Sequence, residues 1–205
     1  MPLVDVDDDV KPWLGIAVSN TDYDSVLTLM RDSVESAVLK YTDASFTPTV
    51  VTNEVLDSNG SDTIVPRNWP IISVQQIVFN VEPNGTGGSV IDATSYQVLP
   101  GSIIIPYIGQ PRGRSIVRVD YTYGYAALPA DVKEAILIAI EAKFRRKDRK
   151  SIGVNARSKK DESESFGSGA GWDPSIGLPY EAISMLQQYR TNFEFPVQPM
   201  ATRNP

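Results

Sequence analysis

The chain has 205 residues, 41% of them hydrophobic and 21% charged, with a formal net charge of -6. It holds no histidine and no cysteine, which removes Cys nucleophiles, Ser–His triads, disulfides and His- or Cys-based zinc sites together. An enzyme is left with Asp, Glu, Lys, Ser, Tyr or a carboxylate-bound metal, and the acidic balance does not suit a general nucleic-acid binder.

The N-terminus has neither the basic start nor the apolar core of a signal peptide. The longest apolar stretch, around Ala135–Ile140, is too short to span a bilayer. The expectation is a soluble protein made in the cytoplasm. Asp7 to Leu14 reads as a short helix, with Asp7, Asp8 and Asp9 at its positive end, Pro12 limiting its length and Gly15 as a stop. Asp22 is placed to cap the next helix, 22–41. There Val26, Leu29, Met30, Val34, Ala37, Val38 and Tyr41 recur in steps of three and four.

The period then changes. From Phe46 to Tyr125 the sequence is rich in Val, Ile, Thr and Tyr, broken by turn clusters. Strands are predicted at Thr49–Leu56, Ile71–Val81, Tyr96–Leu99, Ser102–Ile105 and Ser115–Tyr123, with Thr63–Val65 returning after the Ser58-Asn-Gly60 turn. Together they predict an antiparallel meander of about five strands. Pro129 suits the first turn of a helix running to about Lys147. Its apolar face, including Val132, Ala135, Ile136, Ala139, Ile140 and Phe144, is wide enough to need more than one covering neighbour. Lys150 to Ile176 has poor periodicity and reads as a long arm. Pro179 opens a last helix with Ala182, Ile183, Leu186, Tyr189 and Phe193 on one side, and Pro196–Pro205 reads as extended.

The fold class is therefore α+β. N-terminal helices pack with a long C-terminal helix in a small bundle, with an inserted antiparallel β-meander and an extended C-terminal arm. Residues 1–149 form the core domain, 150–177 a charged, glycine-rich arm, and 178–205 the last helix and tail.

No motif carries catalysis. Asp5, Asp7, Asp8 and Asp9 lack the glycine and distal glutamate of an EF-hand loop, so helix N-terminal charge is preferred to a metal site. The competing enzyme reading is a carboxylate-metal hydrolase using these residues. Gly85-Thr-Gly-Gly88 lacks the Gly-Lys-Ser/Thr of a phosphate loop and reads as a turn. The sequons at Asn59 and Asn84 read as turns too. No cofactor is expected. From Lys143 to Lys160 nine basic residues face one acidic residue, Asp148. This run is either the solvated C-terminal end of a helix or a docking segment for an acidic partner surface or for DNA phosphates. In the arm, Phe166 and Trp172 stand amid Gly and Ser as candidate anchors on a neighbouring subunit.

Five segments carry a resemblance. They are Val-Lys-Pro-Trp-Leu-Gly-Ile (10–16), Ala-Val-Leu-Lys-Tyr-Thr (37–42), and Arg-Gly-Arg (112–114) leading to Val-Asp-Tyr-Thr-Tyr-Gly-Tyr (119–125). Leu-Pro-Ala-Asp-Val-Lys-Glu-Ala-Ile (128–136) and Leu-Pro-Tyr-Glu-Ala-Ile-Ser-Met-Leu-Gln-Gln-Tyr-Arg (178–190) follow. In this order the chain resembles the head-to-tail connector (head-completion, adaptor) proteins of tailed bacteriophages and prophages. The resemblance implies a structural virion protein of the neck without a catalytic site. It implies a homo-oligomeric ring, commonly a dodecamer, that docks on the portal protein, meets tail or stopper proteins, and continues the channel through which DNA passes. The alternative is a tail-completion or neck ring protein contacting the tail. The residues expected to meet the portal or a neighbouring subunit are Arg145, Arg146, Lys147, Arg149, Lys150, Phe166, Trp172, Tyr189 and Arg190, with acidic surface facing the lumen.

Overall fold

The computed structural model describes residues 2–82, 87–106, 111–148, 156–159, 162–165 and 171–190. The Gly85–Thr86 part of the glycine turn, the Asn84 sequon, Arg149, Lys150, Phe166, Phe193 and the Pro-rich tail lie outside them.

The carboxylate of Asp5 accepts the backbone N–H groups of Asp7 (2.8 Å) and Asp8 (3.0 Å), satisfying donors that a helix start leaves unpaired. It caps a wide π turn, Val6–Val10, that runs into α1, Lys11–Leu14. The predicted single helix over 7–14 is thus two short pieces beginning at Val6. Pro12 sits in the first turn of α1, where its missing N–H goes unfelt, and Gly15 ends the helix at φ 69°. Helix α2 spans Asp24–Thr42. Asp22 does not cap it: Tyr23 holds the cap position, and no side chain bonds there.

The β insertion holds β1 (Thr49–Asn59), β2 (Thr63–Ile64), β3 (Ile71–Phe79), β4 (Ser89–Val90), β5 (Gln97–Leu99), β6 (Ser102–Ile104) and β7 (Arg112–Tyr123). They do not follow one another as a sequential meander. One sheet has the order β1-β7-β3-β4 and the other β2-β6-β5. The predicted return of Thr63–Val65 along β1 fails because β7, twelve residues long, takes that edge from Thr49↔Tyr123 to Asn59↔Arg112. Two-residue β2, stopped by Pro66, pairs with β6 instead. Ile64 and Ile103 of the smaller sheet, with Ile105 just beyond β6, share a core with Ile71, Ile77, Phe79, Val117, Val119 and Tyr121 of the larger.

Helix α3 spans Ala130–Asp148. Its buried face comprises Val132, Ala135, Ile136, Leu137, Ala139 and Ile140. Three neighbours cover it: α2 through Leu27, Val34 and Val38, the N-terminal segment through Val4, Val6 and Val10, and α4 (Tyr180–Leu186) through Ala182 and Leu186. Within the predicted arm, β8 (Ala156–Lys159) pairs antiparallel with β9 (Glu162–Ser165). Neither strand has apolar alternation. The available signal was charge, since the register sets Arg157 opposite Glu164 and Lys159 opposite Glu162. A second small ladder, β10 (Trp172–Asp173) with β11 (Leu178–Pro179), leads into α4, which ends in a 3-10 turn, Gln187–Tyr189.

Candidate assembly surface

Three of the sequence segments singled out above meet where β7 leaves the sheet. Gly124, at φ 106°, donates its N–H to the Pro70 carbonyl at 2.8 Å. A Cβ there would stand 2.4 Å from the Thr47 carbonyl oxygen, so only glycine fits. The turn delivers the Tyr125 ring onto Phe46, stacked at 5.6 Å, and the Tyr189 ring meets both edge-on at 5.7 Å. Asp131, in the first turn of α3, accepts the Tyr189 hydroxyl at 2.7 Å and the Gln188 side-chain amide at 2.5 Å. The Arg190 guanidinium lies 5.1 Å from the centre of the Tyr41 ring. Tyr189 and Arg190, predicted as outward contacts, thus make these bonds within the subunit and close the helical layer.

At the other end of α3 the basic residues are exposed but each touches its own chain. Arg145 pairs with Glu141 one turn earlier. The Arg146 guanidinium covers the half-buried Trp172 ring at 5.2 Å, so the structure brings these two predicted residues together. The Lys147 ammonium sits 5.9 Å from the centre of the Tyr23 ring. One turn back, Lys143 donates to the Ser33 hydroxyl at 2.7 Å, and burial lowers its pKa.

The N-terminal acidic run is spent on the fold. Asp7 and Asp24 both pair with Lys11 at 2.6 Å, and Asp9 pairs with Lys133 at 2.5 Å. Lys11 is only 1% exposed and also donates to the Val18 carbonyl at 3.0 Å. Sequence reasoning missed it. Its signal was a lone Lys between Val10 and Pro12 with carboxylates four residues before and thirteen after. Asp24, then Asp7, raise its pKa and outweigh desolvation. Burial pushes the Asp9 carboxyl up, but bonds from Lys133 and the Asp5 N–H leave it lowered overall. Among the described residues no three His, Cys, Asp or Glu side chains are grouped to hold a metal ion.

Tyr121, Tyr189 and Tyr125 are among the tyrosines that titrate late. Burial, then the Glu54 carboxylate, push the Tyr121 hydroxyl up to about 12, against the Asn68 donors that stabilise the phenolate. Burial, then Asp131, also raise Tyr189 and Tyr125. A group whose folded pKa is raised contributes stability that is complete below its unfolded value and lost as pH climbs through the folded one. Stability should therefore hold up to about pH 10 and fall between there and pH 12 for Tyr121. Tyrosinate absorbance and circular dichroism followed over the same alkaline titration should change together for these three. Their ionisation at pH 10 in a fully folded protein would refute this.

The helical layer, closed by three sequence-distant segments, thus carries an inserted two-sheet module. The family model described as head completion protein matches residues 3–192, and the chain belongs to that family. That family's description gives it a structural role, the completion of a head. Comparison with curated proteins gives no match. Among solved structures, a chain from the neck of an empty GTA particle computed with C6 symmetry is similar at TM-score 0.53 and 13% identity, covering 92% of this chain and 90% of that one. A chain from the neck of a native GTA particle computed with C12 symmetry gives TM-score 0.48 at 13% identity, covering 93% and 94%. Among the described residues no helix is long and apolar enough to cross a membrane.

Proposed function

We propose that this chain forms a homo-oligomeric ring in the neck of a phage-like particle, docks on the portal, meets tail or stopper proteins, and continues the DNA channel. The family match over residues 3–192 carries the reading, and the fold likeness to a neck chain supports it. A closed ring needs two different faces on each subunit, and a stable contact buries about 1,600 Å² in total. The helical layer and the β module supply distinct faces, and the basic end of α3 is exposed for a partner. A channel wall that lets DNA slide avoids dense cations, so acidic surface suits the lumen.

The portal-facing surface includes Arg145, Arg146, Lys147, Arg149 and Lys150. Reversing charge at Arg145, Arg146 and Lys147 should weaken docking on purified portal about tenfold or more. Arg146 and Lys147 also cover Trp172 and Tyr23, so Arg149→Glu with Lys150→Glu serves as the independent variant. Electron microscopy of the protein mixed with its portal, or with its tail, decides the position. A ring on the tail alone moves the protein to the tail side, and docking unchanged in both variants removes the basic run from the interface.

A further inference from the structure

A cleft of about 390 Å³ lies where the helical layer meets the sheet module. The C-terminal end of α2 supplies one wall, through Leu39 and Asp43. The other wall is Trp69, between β2 and β3, and Tyr123, the last residue of β7. Both walls are pinned. Asp43 ends α2 in the left-handed conformation, φ 53°, with its N–H on the Leu39 carbonyl at 2.9 Å. Beside Trp69, the Asn68 N–H and side-chain amide both donate to the buried Tyr121 hydroxyl, at 3.3 and 3.1 Å.

Charge decides what fits there. The end of α2 carries about half a negative charge from its aligned peptides, and the Asp43 carboxylate adds a whole one on the same wall. Arg67 stands at the rim, but its guanidinium lies 3.5 Å from the buried Glu54 carboxylate, which offsets it. The balance attracts a cation. Trp69 and Tyr123 add aromatic rings, which attract cations too, and a planar guanidinium stacks on such rings better than an ammonium does.

We infer that this cleft is a socket for an arginine side chain presented by a partner protein. It adds a contact remote in sequence from the basic end of α3, and it rests on the neck reading only for which partner supplies the arginine.

N-acetyl-arginine amide is the probe, followed through the indole N–H signals of the three tryptophans, with Trp13→Phe and Trp172→Phe assigning them. The Trp69 signal should shift saturably. N-acetyl-citrulline amide, which has nearly the same shape and no charge, should leave it in place. Asp43→Asn should weaken the arginine probe about fivefold, and because Asn tolerates the left-handed conformation the fold is kept. Arg67→Gln should not weaken it. A Trp69 signal unmoved by the arginine probe, moved equally by citrulline, or indifferent to Asp43→Asn overturns the socket. Leu39→Arg then tests the source. It sets a like charge at an exposed helix position on the wall and should reduce assembly with the partner that fills the socket, whether a second copy, the portal or the tail, about tenfold. Assembly unchanged in all three pairings overturns a protein-borne arginine. Wild-type protein that assembles with none of them overturns the neck reading, while the probe still decides whether the cleft binds a guanidinium.

Discussion

Gly124→Ala should cost about 3 kcal/mol of folding free energy and lower the thermal midpoint by roughly 6–12 °C. Two effects add. At φ 106° an L side chain is strained wherever it points. The new methyl would also meet backbone, with the Thr47 carbonyl oxygen at 2.4 Å and that of Ser45 at 3.1 Å. That backbone has little room to retreat. The Thr47 carbonyl already accepts the hydroxyls of Ser45 (2.8 Å) and Thr49 (3.2 Å), and Gly124 itself is tied to Pro70. Gly101 is the control. It has ordinary φ and nothing within 4 Å of its would-be Cβ, so Gly101→Ala should change stability by less than about 1 kcal/mol. Urea and thermal unfolding of the two variants give the comparison. Equal stabilities would remove close backbone approach as the reason for glycine in the Tyr-Gly-Tyr segment.

Much of this fold was readable from period. The stripe that named α2 includes buried Val34 and Val38, though its Leu29 is exposed and buried Leu27 lay outside it, and the alternation of Val117, Val119 and Tyr121 named β7, where a single face is buried. The breadth of the α3 face called for more than one neighbour for the same reason. Strand order was not readable. It depends on which partner offers the longer ladder, and nothing local in Thr63–Ile64 says that Ile103 and Ile104 will be its partners. The β8–β9 hairpin was missed because its strands show no apolar face. Of the candidate contacts, Arg146 and Trp172 were found together, each by its own signal. Tyr189 was chosen as an outward residue, yet its hydroxyl is bonded to Asp131, fifty-eight residues earlier in the chain. Pairings at that separation leave no trace in periodicity. They show only as segments that recur in one order, which is how Gly124 and Asp131 entered the reading, whereas Tyr189 entered first through the stripe of the last helix.

Asp131→Ala is expected to cost about 2–3 kcal/mol, the range for removing a charged acceptor from two side-chain donors. Its carboxylate holds both Tyr189 and Gln188 and so fastens the end of α4 to the start of α3. Asp131→Asn should cost less, because one amide oxygen still accepts the phenol while the NH2 group faces the Gln188 donor. Tyr189→Phe keeps the ring against Phe46 and Tyr125 and loses only the hydroxyl. Its cost should be about 1 kcal/mol. Because these side chains touch, the double variant should cost less than the sum, by about 1 kcal/mol. Additive losses would mean that the Asp131–Tyr189 bond contributes nothing of its own. Limited proteolysis supplies a second reading. With the fastening cut, residues 171–190 should become cleavable well before the sheet module, whose core shares no buried residue with theirs.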